Sequence, residues 1–172
     1  MADALTPTES QRSQAYVLAP AEVRRNPTVQ PLTKADSTDT AGLLGVFEDT
    51  LAPWQPGPPL HLHAEMDEAF YVLEGVLLVK LGEDQHEVAS GSFVWIPRGT
   101  PHAFANASAG VTRLLGLAVP GGIEEFFAER QQYFDQLDGP PDLAILGKLG
   151  AHHGSRLLGP PIEVLAPPAR AS

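Results

Sequence analysis

The chain contains no cysteine among its 172 residues. Disulfide bonds, thiol nucleophiles and zinc–thiolate sites are therefore excluded. Its apolar runs are all shorter than the roughly 20 residues that a membrane-spanning helix needs. The N-terminal residues also lack the basic stretch, followed by an apolar stretch, that marks a secretory signal. From these absences we expect a soluble, cytoplasmic protein.

Basic residues are few in this chain. Lys and Arg number 11 against 21 Asp and Glu, which gives a net charge of −10 at pH 7. A surface with that charge repels phosphate backbones and anionic membranes. The sequence also has neither a glycine-rich nucleotide-binding motif nor a serine nucleophile elbow. We therefore expect neither nucleic acid nor a membrane as a partner.

Proline and glycine are abundant, with 17 and 16 residues, and they favour a loop-rich all-β body. A first clear strand is predicted over 42–49. Seven short apolar runs follow, separated by turn residues: 60–63, 68–74, 76–81, 85–89, 92–96, 101–105 and 111–119. Many short strands at close spacing indicate a sandwich or a barrel. No internal repeat is visible, so we expect one copy of it.

The pattern changes on either side of these strands. We predict a mobile N-terminal tail over 1–14, a β-barrel with N-terminal strands over 15–121, a helical extension over 122–166 and a second tail over 167–172. Within the barrel unit, 16–18 is a predicted short strand and 21–40 a predicted loop. Apolar residues at helical spacing predict one helix over 122–134, and Asp142 is a predicted cap for a second helix over 143–152.

The first chemical motif is His-x-His-x4-Glu-x6-Gly, formed by His61, His63, Glu68 and Gly75. Side chains alternate along a strand, so His61 and His63 share one face. We expect a hairpin between 63 and 68 to bring Glu68 beside them. A lone pair of histidines at this spacing is more often an ordinary surface or core feature than a metal site.

A second motif, Gly-x5-Pro-x-Gly-x2-His-x3-Asn, runs from Gly91 to Asn106 and contributes His102 from a later strand. Three imidazoles and one carboxylate suit iron, manganese, nickel, cobalt or zinc. The sequence therefore predicts one divalent transition metal per chain, bound by His61, His63, Glu68 and His102. Glu68 is also the predicted catalytic base, because histidines bound to a metal cannot accept a proton. The alternatives are that Glu68 is a ligand only and that the site folds without performing chemistry.

The two motifs resemble the paired signature motifs of the cupin superfamily, and the resemblance covers roughly residues 42–119. It implies a cupin double-sheet β-barrel of the jelly-roll type, with roughly six to eight strands, the metal inside, and the same four residues as ligands. The C-terminal two-helix extension and the closing Leu-Gly-Pro-Pro of 158–161 are similar to small bacterial proteins that resemble quercetinases. That likeness implies a dioxygenase that acts on a flavonol or another enolisable aromatic or polyketide molecule.

Two further classes of function remain open on the sequence, because cupin motifs specify a fold and a metal more than a reaction. The first is a non-oxidative metalloenzyme, namely an isomerase, cyclase, lyase or decarboxylase. The second is a module that binds a small molecule with little turnover. In each case the expected partner is a small molecule, joined by dioxygen if the chain is a dioxygenase.

Five side chains are candidates for a substrate pocket above the metal, with plain barrel core as the alternative: Phe47, Phe70, Val72, Trp95 and Phe104. Residues 15–48 also supply apolar runs that a single barrel need not bury. We therefore expect a homodimer that pairs through strands and this N-terminal segment.

Overall fold

The computed structural model describes residues 14–166. The tails predicted over 1–14 and 167–172 lie outside the described residues, apart from Gln14. Ten strands are present in the described part, in chain order β1 Leu32–Ala35, β2 Gly45–Leu51, β3 His61–His63, β4 Asp67–Glu74, β5 Val76–Leu81, β6 Asp84–Ala89, β7 Phe93–Ile96, β8 His102–Ala105, β9 Thr112–Val119 and β10 Ser155–Leu157. The helices are α1 Ser37–Thr40, α2 Ile123–Phe134 and α3 Leu143–His152.

The strands form two five-stranded antiparallel sheets. The first sheet has the order β1-β2-β9-β4-β7, and the second has the order β10-β3-β8-β5-β6. The predicted all-β double-sheet fold with a C-terminal helical extension is therefore confirmed, with more strands than the sequence indicated. The predicted strand runs between 60 and 119 each correspond to one observed strand.

The core lies between the two sheets and follows the alternation of side chains along each strand. In β9, buried and half-buried residues alternate from Thr112 to Ala118. Phe70 of the first sheet meets Phe104 of the second edge to face, with ring centroids 5.0 Å apart. Full burial of each large apolar side chain contributes roughly 1.5–3 kcal/mol. This apolar packing holds the two sheets together independently of the polar site.

The connection between the two ligand-bearing strands differs from the prediction. A hairpin joining 63 and 68 was expected, but β3 belongs to the second sheet and β4 to the first. Both edges of β3 are already paired, with β8 on one side and β10 on the other. Residues 64–66 therefore cross from one sheet to the other, and Glu68 reaches the histidines from the opposite wall.

Two residues of the sequence motifs have structural roles. Gly75 has a φ of 77°, a conformation that favours glycine, between β4 and β5. Asn106 is fully buried, and its amide donates hydrogen bonds to the carbonyls of Leu51, at 3.2 Å, and Gly110, at 2.7 Å. The asparagine thus fixes the loops that follow β2 and β8.

The C-terminal extension contains both predicted helices and one strand that was not predicted. The Asp142 side chain accepts a hydrogen bond from the Ala144 amide at 2.7 Å, as expected of a helix cap. Directly after α3, β10 joins the second sheet, where Ser155 lies opposite His63. None of the helices in residues 14–166 is long and apolar enough to cross a membrane.

The N-terminal segment departs from the prediction in two places. Residues 16–18 form no strand, although the Tyr16 hydroxyl donates to the Lys34 carbonyl at 2.8 Å. The predicted loop over 21–40 contains β1 and the single turn α1. The sequence of β1, Leu-Thr-Lys-Ala, shows no alternation of apolar and polar residues that could have marked it as a strand, and all four residues are half-buried.

Candidate metal centre

Four side chains from three strands meet between the sheets. His61 and His63 project from β3, and His102 lies opposite His61 in the antiparallel pairing of β3 with β8. The His102 ring centroid is 4.3 Å from that of His61 and 5.3 Å from that of His63. Glu68 enters from β4 in the facing sheet. One ligand atom from each of the four residues lies within 4.8 Å of the other three, so the structure brings the predicted ligands together.

Backbone carbonyls orient two of the three imidazoles. The Nδ1 of His61 lies 2.8 Å from the Pro59 carbonyl oxygen, and the Nδ1 of His102 lies 2.9 Å from the Thr100 carbonyl oxygen. A carbonyl can only accept a hydrogen bond, so each Nδ1 carries the proton. In the neutral tautomer the Nε2 of His61 is consequently free of a proton and available to a cation. Burial lowers the pKa of His102, but the Glu68 carboxylate, 3.0 Å from its Nε2, raises that pKa above its usual value, so this nitrogen would give up its proton when it binds a cation.

The third imidazole is held by a residue that the sequence did not reveal. The Ser155 hydroxyl oxygen on β10 lies 2.7 Å from the Nδ1 of His63. The Nε2 of His63 is buried and has no hydrogen-bond partner among the described residues. A buried polar atom without a partner requires an explanation. A metal ion between the four side chains would provide it.

Charge at the site also fits a cation. Burial raises the pKa of Glu68, but the facing imidazoles of His102, with Nε2 3.0 Å from the carboxylate, and His63 lower that pKa well below its usual range. Burial and the neighbouring imidazoles of His102 and His63 lower the pKa of His61 to about 4. At neutral pH the site therefore holds an ionised carboxylate and a neutral His61, the protonation states that metal binding requires.

Two cavities reach the candidate centre, and His63 lines both of them. The larger cavity, of about 360 Å³, includes His61 and His63 in its wall and runs between the barrel and helices α2 and α3. The smaller cavity, of about 270 Å³, includes His63 and residues 120–123 at the start of α2. Phe126 and Ser155 line both cavities. A small organic molecule can therefore approach the histidines from outside the barrel.

The five residues proposed from sequence for a substrate pocket line neither cavity. Four of them belong to the buried core, namely Phe47, Phe70, Val72 and Phe104. Trp95 instead points outward from β7 and is 52% exposed. These four residues are therefore barrel core, the alternative to a substrate pocket, because their positions on the strands face the opposite sheet. Part of the cavity wall comes from α2 and α3, whose docking onto the barrel has no simple signature in the sequence.

The contact between Ser155 and His63 gives a testable expectation. Residues that hold metal-bound histidines typically contribute 10–100-fold to metal affinity, so we expect Ser155→Ala to weaken metal binding by about that factor. Ser90→Ala is a matched control, because Ser90 hydrogen-bonds the Leu73 carbonyl in an exposed turn. Competition with a chelator measures both variants. Equal metal affinity in Ser155→Ala and wild type would show that Ser155 does not orient His63.

A family profile described as Cupin domain matches residues 47–119, which include all four candidate ligands. Quercetin 2,3-dioxygenase of Bacillus subtilis is 31% identical over 83 residues, which are 48% of this chain and 24% of that protein. The chain spans between about a quarter and a half of the length of the curated relatives that it matches.

Two solved structures share the fold. The polyketide cyclase RemF of Streptomyces resistomycificus is 26% identical, with 62% of this chain and 80% of that chain covered and a TM-score of 0.52. A protein from Klebsiella pneumoniae, described as having a double-stranded β-helix domain, is 15% identical, with coverages of 63% and 93% and a TM-score of 0.53. At that identity, the second likeness concerns the fold alone.

Proposed function

Since this chain belongs to the cupin superfamily, we propose that it is a metal-dependent dioxygenase of a flavonol-like or other enolisable aromatic or polyketide molecule. The observation that carries the proposal is the cluster of three histidines and Glu68, of which His61 and His63 lie in the wall of a cavity large enough for an aromatic ring. The metal is a divalent transition ion, one per chain, from the group of iron, manganese, nickel, cobalt and zinc.

Each of the four candidate ligands has a defined task in this proposal. The histidines are held by their Nδ1 atoms, so their Nε2 atoms can bind the metal without rearrangement. Such a metal, when bound, supplies a Lewis acid and a template for the oxygens of the reactants. Glu68 takes the proton from the enol or phenol of the substrate. Its carboxylate is buried between the two sheets, 3.5 Å from the Nε2 of His63, and His63 in turn lies in the cavity wall.

The cavity wall supports an aromatic substrate. Leu51, Phe126, Phe134, Leu146 and Leu157 present apolar surface to the larger cavity. Packing of a flat ring against these side chains excludes water from the reacting end. A dioxygenase reaction needs no external reductant, because both oxygen atoms enter the products and the organic substrate supplies the electrons. The likeness to quercetin 2,3-dioxygenase supports this class of reaction.

A second candidate function is a cyclase or another non-oxidative conversion at the same site. The likeness to the polyketide cyclase supports it, since that comparison covers most of the cyclase chain. In such a reaction the metal site would polarise a carbonyl while Glu68 moves a proton. The two candidates therefore share the substrate class, the ligands and the base, and they differ in whether oxygen is consumed.

Oxygen uptake separates these candidates. Protein whose metal has been identified by elemental analysis is mixed with a panel of flavonols and enolisable polyketides, in air and under argon, and the products are analysed by mass spectrometry. We expect oxygen consumption together with products that contain both oxygen atoms. Turnover under argon would support the cyclase class instead. Binding without turnover in either atmosphere would contradict an enzymatic function.

We also propose that the chain forms a homodimer. The outer face of the first sheet exposes several large apolar side chains along β4 and β7, among them Tyr71, Phe93 and Trp95. Exposed apolar patches of this kind favour association, and the patch adds to the N-terminal segment considered from sequence. We expect light scattering of the wild type at micromolar concentration to give twice the mass of one chain. The substitution Trp95→Lys should lower that measured mass. A monomeric wild type would contradict the proposal.

A further inference from the structure

The larger cavity contains a cation with no assigned role. Arg130, on α2, is the one Lys or Arg side chain of the described residues in the cavity wall, which it shares with His61 and His63. Its guanidinium carbon lies 5.2 Å from the ring centre of Phe127, 5.6 Å from that of Phe126 and 5.8 Å from that of Phe134. Aromatic rings therefore surround the charged group.

Hydrogen-bond partners for Arg130 are few. One guanidinium nitrogen donates to the Gln30 carbonyl oxygen. In the part of the chain that the structure describes, no carboxylate forms a salt bridge with this side chain. A guanidinium offers a planar set of donors that matches a carboxylate, and most of that set is unfilled here.

Arg130 is half-buried, and its surroundings remove part of the water from the guanidinium. Burial lowers the pKa of Arg130, while the charge of Asp49 partly offsets that effect. The pKa of an arginine is high enough that the side chain stays charged nonetheless. A buried charge is costly unless a counter-charge accompanies it. A half-buried cation in a cavity wall, with no carboxylate at salt-bridge distance among the described residues, can therefore bind an anion.

Asp49, on β2, is the acidic residue of the same cavity wall. Its carboxylate accepts a hydrogen bond from the Thr50 amide at 2.9 Å, and it does not pair directly with Arg130. Burial raises the pKa of Asp49. Asp49 therefore leaves the guanidinium of Arg130 without a carboxylate at salt-bridge distance among the described residues.

We propose that Arg130 binds a carboxylate of the substrate, so that the natural substrate is an aromatic or enolisable ring acid rather than a neutral polyphenol. The ring occupies the larger cavity, the enol faces His61 and His63, and the carboxylate meets the guanidinium of Arg130. This inference rests on the proposed function for the end of the substrate that reaches the metal. The inference narrows the substrate class, since the substrate must carry an ionised group in addition to its enol.

Two ring compounds that differ in one substituent test the inference. Kojic acid and comenic acid share a hydroxypyranone that chelates metals, but the first carries a neutral hydroxymethyl group where the second carries a carboxylate. Calorimetry on metal-loaded protein measures both dissociation constants for wild type, Arg130→Gln, Arg130→Lys and Arg156→Gln. Arg156 is exposed on β10 and lies outside the cavity wall, so its substitution controls for the loss of one positive charge.

We expect wild type to bind comenate at least about 10-fold more tightly than kojic acid, the factor that one hydrogen-bonded charge supplies. That preference should vanish in Arg130→Gln, persist in part in Arg130→Lys and remain whole in Arg156→Gln. Unchanged affinity for kojic acid shows that a variant is folded. A purely structural Arg130 would alter thermal stability and leave the preference intact.

The outcomes distinguish this inference from the proposed function. No preference for comenate in wild type, or an equal preference in Arg130→Gln, overturns the role of Arg130 even if both compounds bind at the metal. An Arg130-dependent preference upholds that role even if the panel of substrates consumes no oxygen. Failure of comenate to bind wild type also overturns it.

Discussion

Replacement of His63 by alanine is expected to remove most of the bound metal while the barrel stays folded. His63 is buried, and its Nε2 faces the other candidate ligands without a hydrogen bond of its own among the described residues. Loss of a residue that merely orients a metal ligand costs about 10–100-fold in metal affinity, so loss of the ligand itself should cost at least about 100-fold. The apolar core between the sheets does not include His63 and keeps the fold intact.

Elemental analysis of the purified variant, together with its circular dichroism spectrum, measures both parts of this expectation. His86→Ala is the matched control, because His86 is exposed on β6 and outside the candidate centre. That variant should retain wild-type metal content. Full metal occupancy in His63→Ala, with His86→Ala behaving identically, would show that the histidine is not a ligand.

Substitution of Glu68 by glutamine is expected to lower turnover by at least about 100-fold while part of the metal remains. Glutamine keeps the shape and one oxygen ligand but cannot take a proton. General-base catalysis typically contributes about 10²–10⁴-fold in rate, and we expect at least the lower end of that range. The imidazoles that lower the pKa of Glu68 are those of the candidate ligands His102 and His63. With a metal bound to His102, its Nε2 would no longer hydrogen-bond to the carboxylate.

Rate and metal content must be measured on the same preparation, so that activity is expressed per bound metal. Glu87→Gln removes an equal charge from an exposed position of β6 and should leave the rate unchanged. The competing interpretation is that Glu68 serves only as a ligand. In that case Glu68→Gln would lose activity in proportion to its metal, and the rate per metal would match wild type.

Much of this fold could be predicted from sequence, because strand and helix periodicities are local properties. The runs between 60 and 119, the helix over 123–134 and the cap at Asp142 all carry strong local patterns. The metal ligands could be proposed for a related reason, since two motifs with fixed spacing constrain all four residues. Alternation along a strand determines the face of each side chain. It does not determine which strand becomes the neighbour.

The features that sequence reasoning missed depend on tertiary contacts. Glu68 faces the histidines from the opposite sheet because β3 is already paired on both edges, which local patterns do not indicate. Ser155 supports His63 from a strand of only three residues, too short to show a period. Arg130 looks like an ordinary helical arginine until α2 docks beside the cavity. Substrate recognition is therefore the part of the site that needed the three-dimensional structure.

The most direct test of the metal centre is an anomalous difference map from a crystal of the metal-loaded protein, collected at the absorption edge of the metal that elemental analysis identifies. We predict one peak per chain, about 2.0–2.2 Å from the Nε2 atoms of His61, His63 and His102 and from a carboxylate oxygen of Glu68. A map from fully loaded protein with no peak between these four side chains, or with its peak elsewhere, would contradict the account.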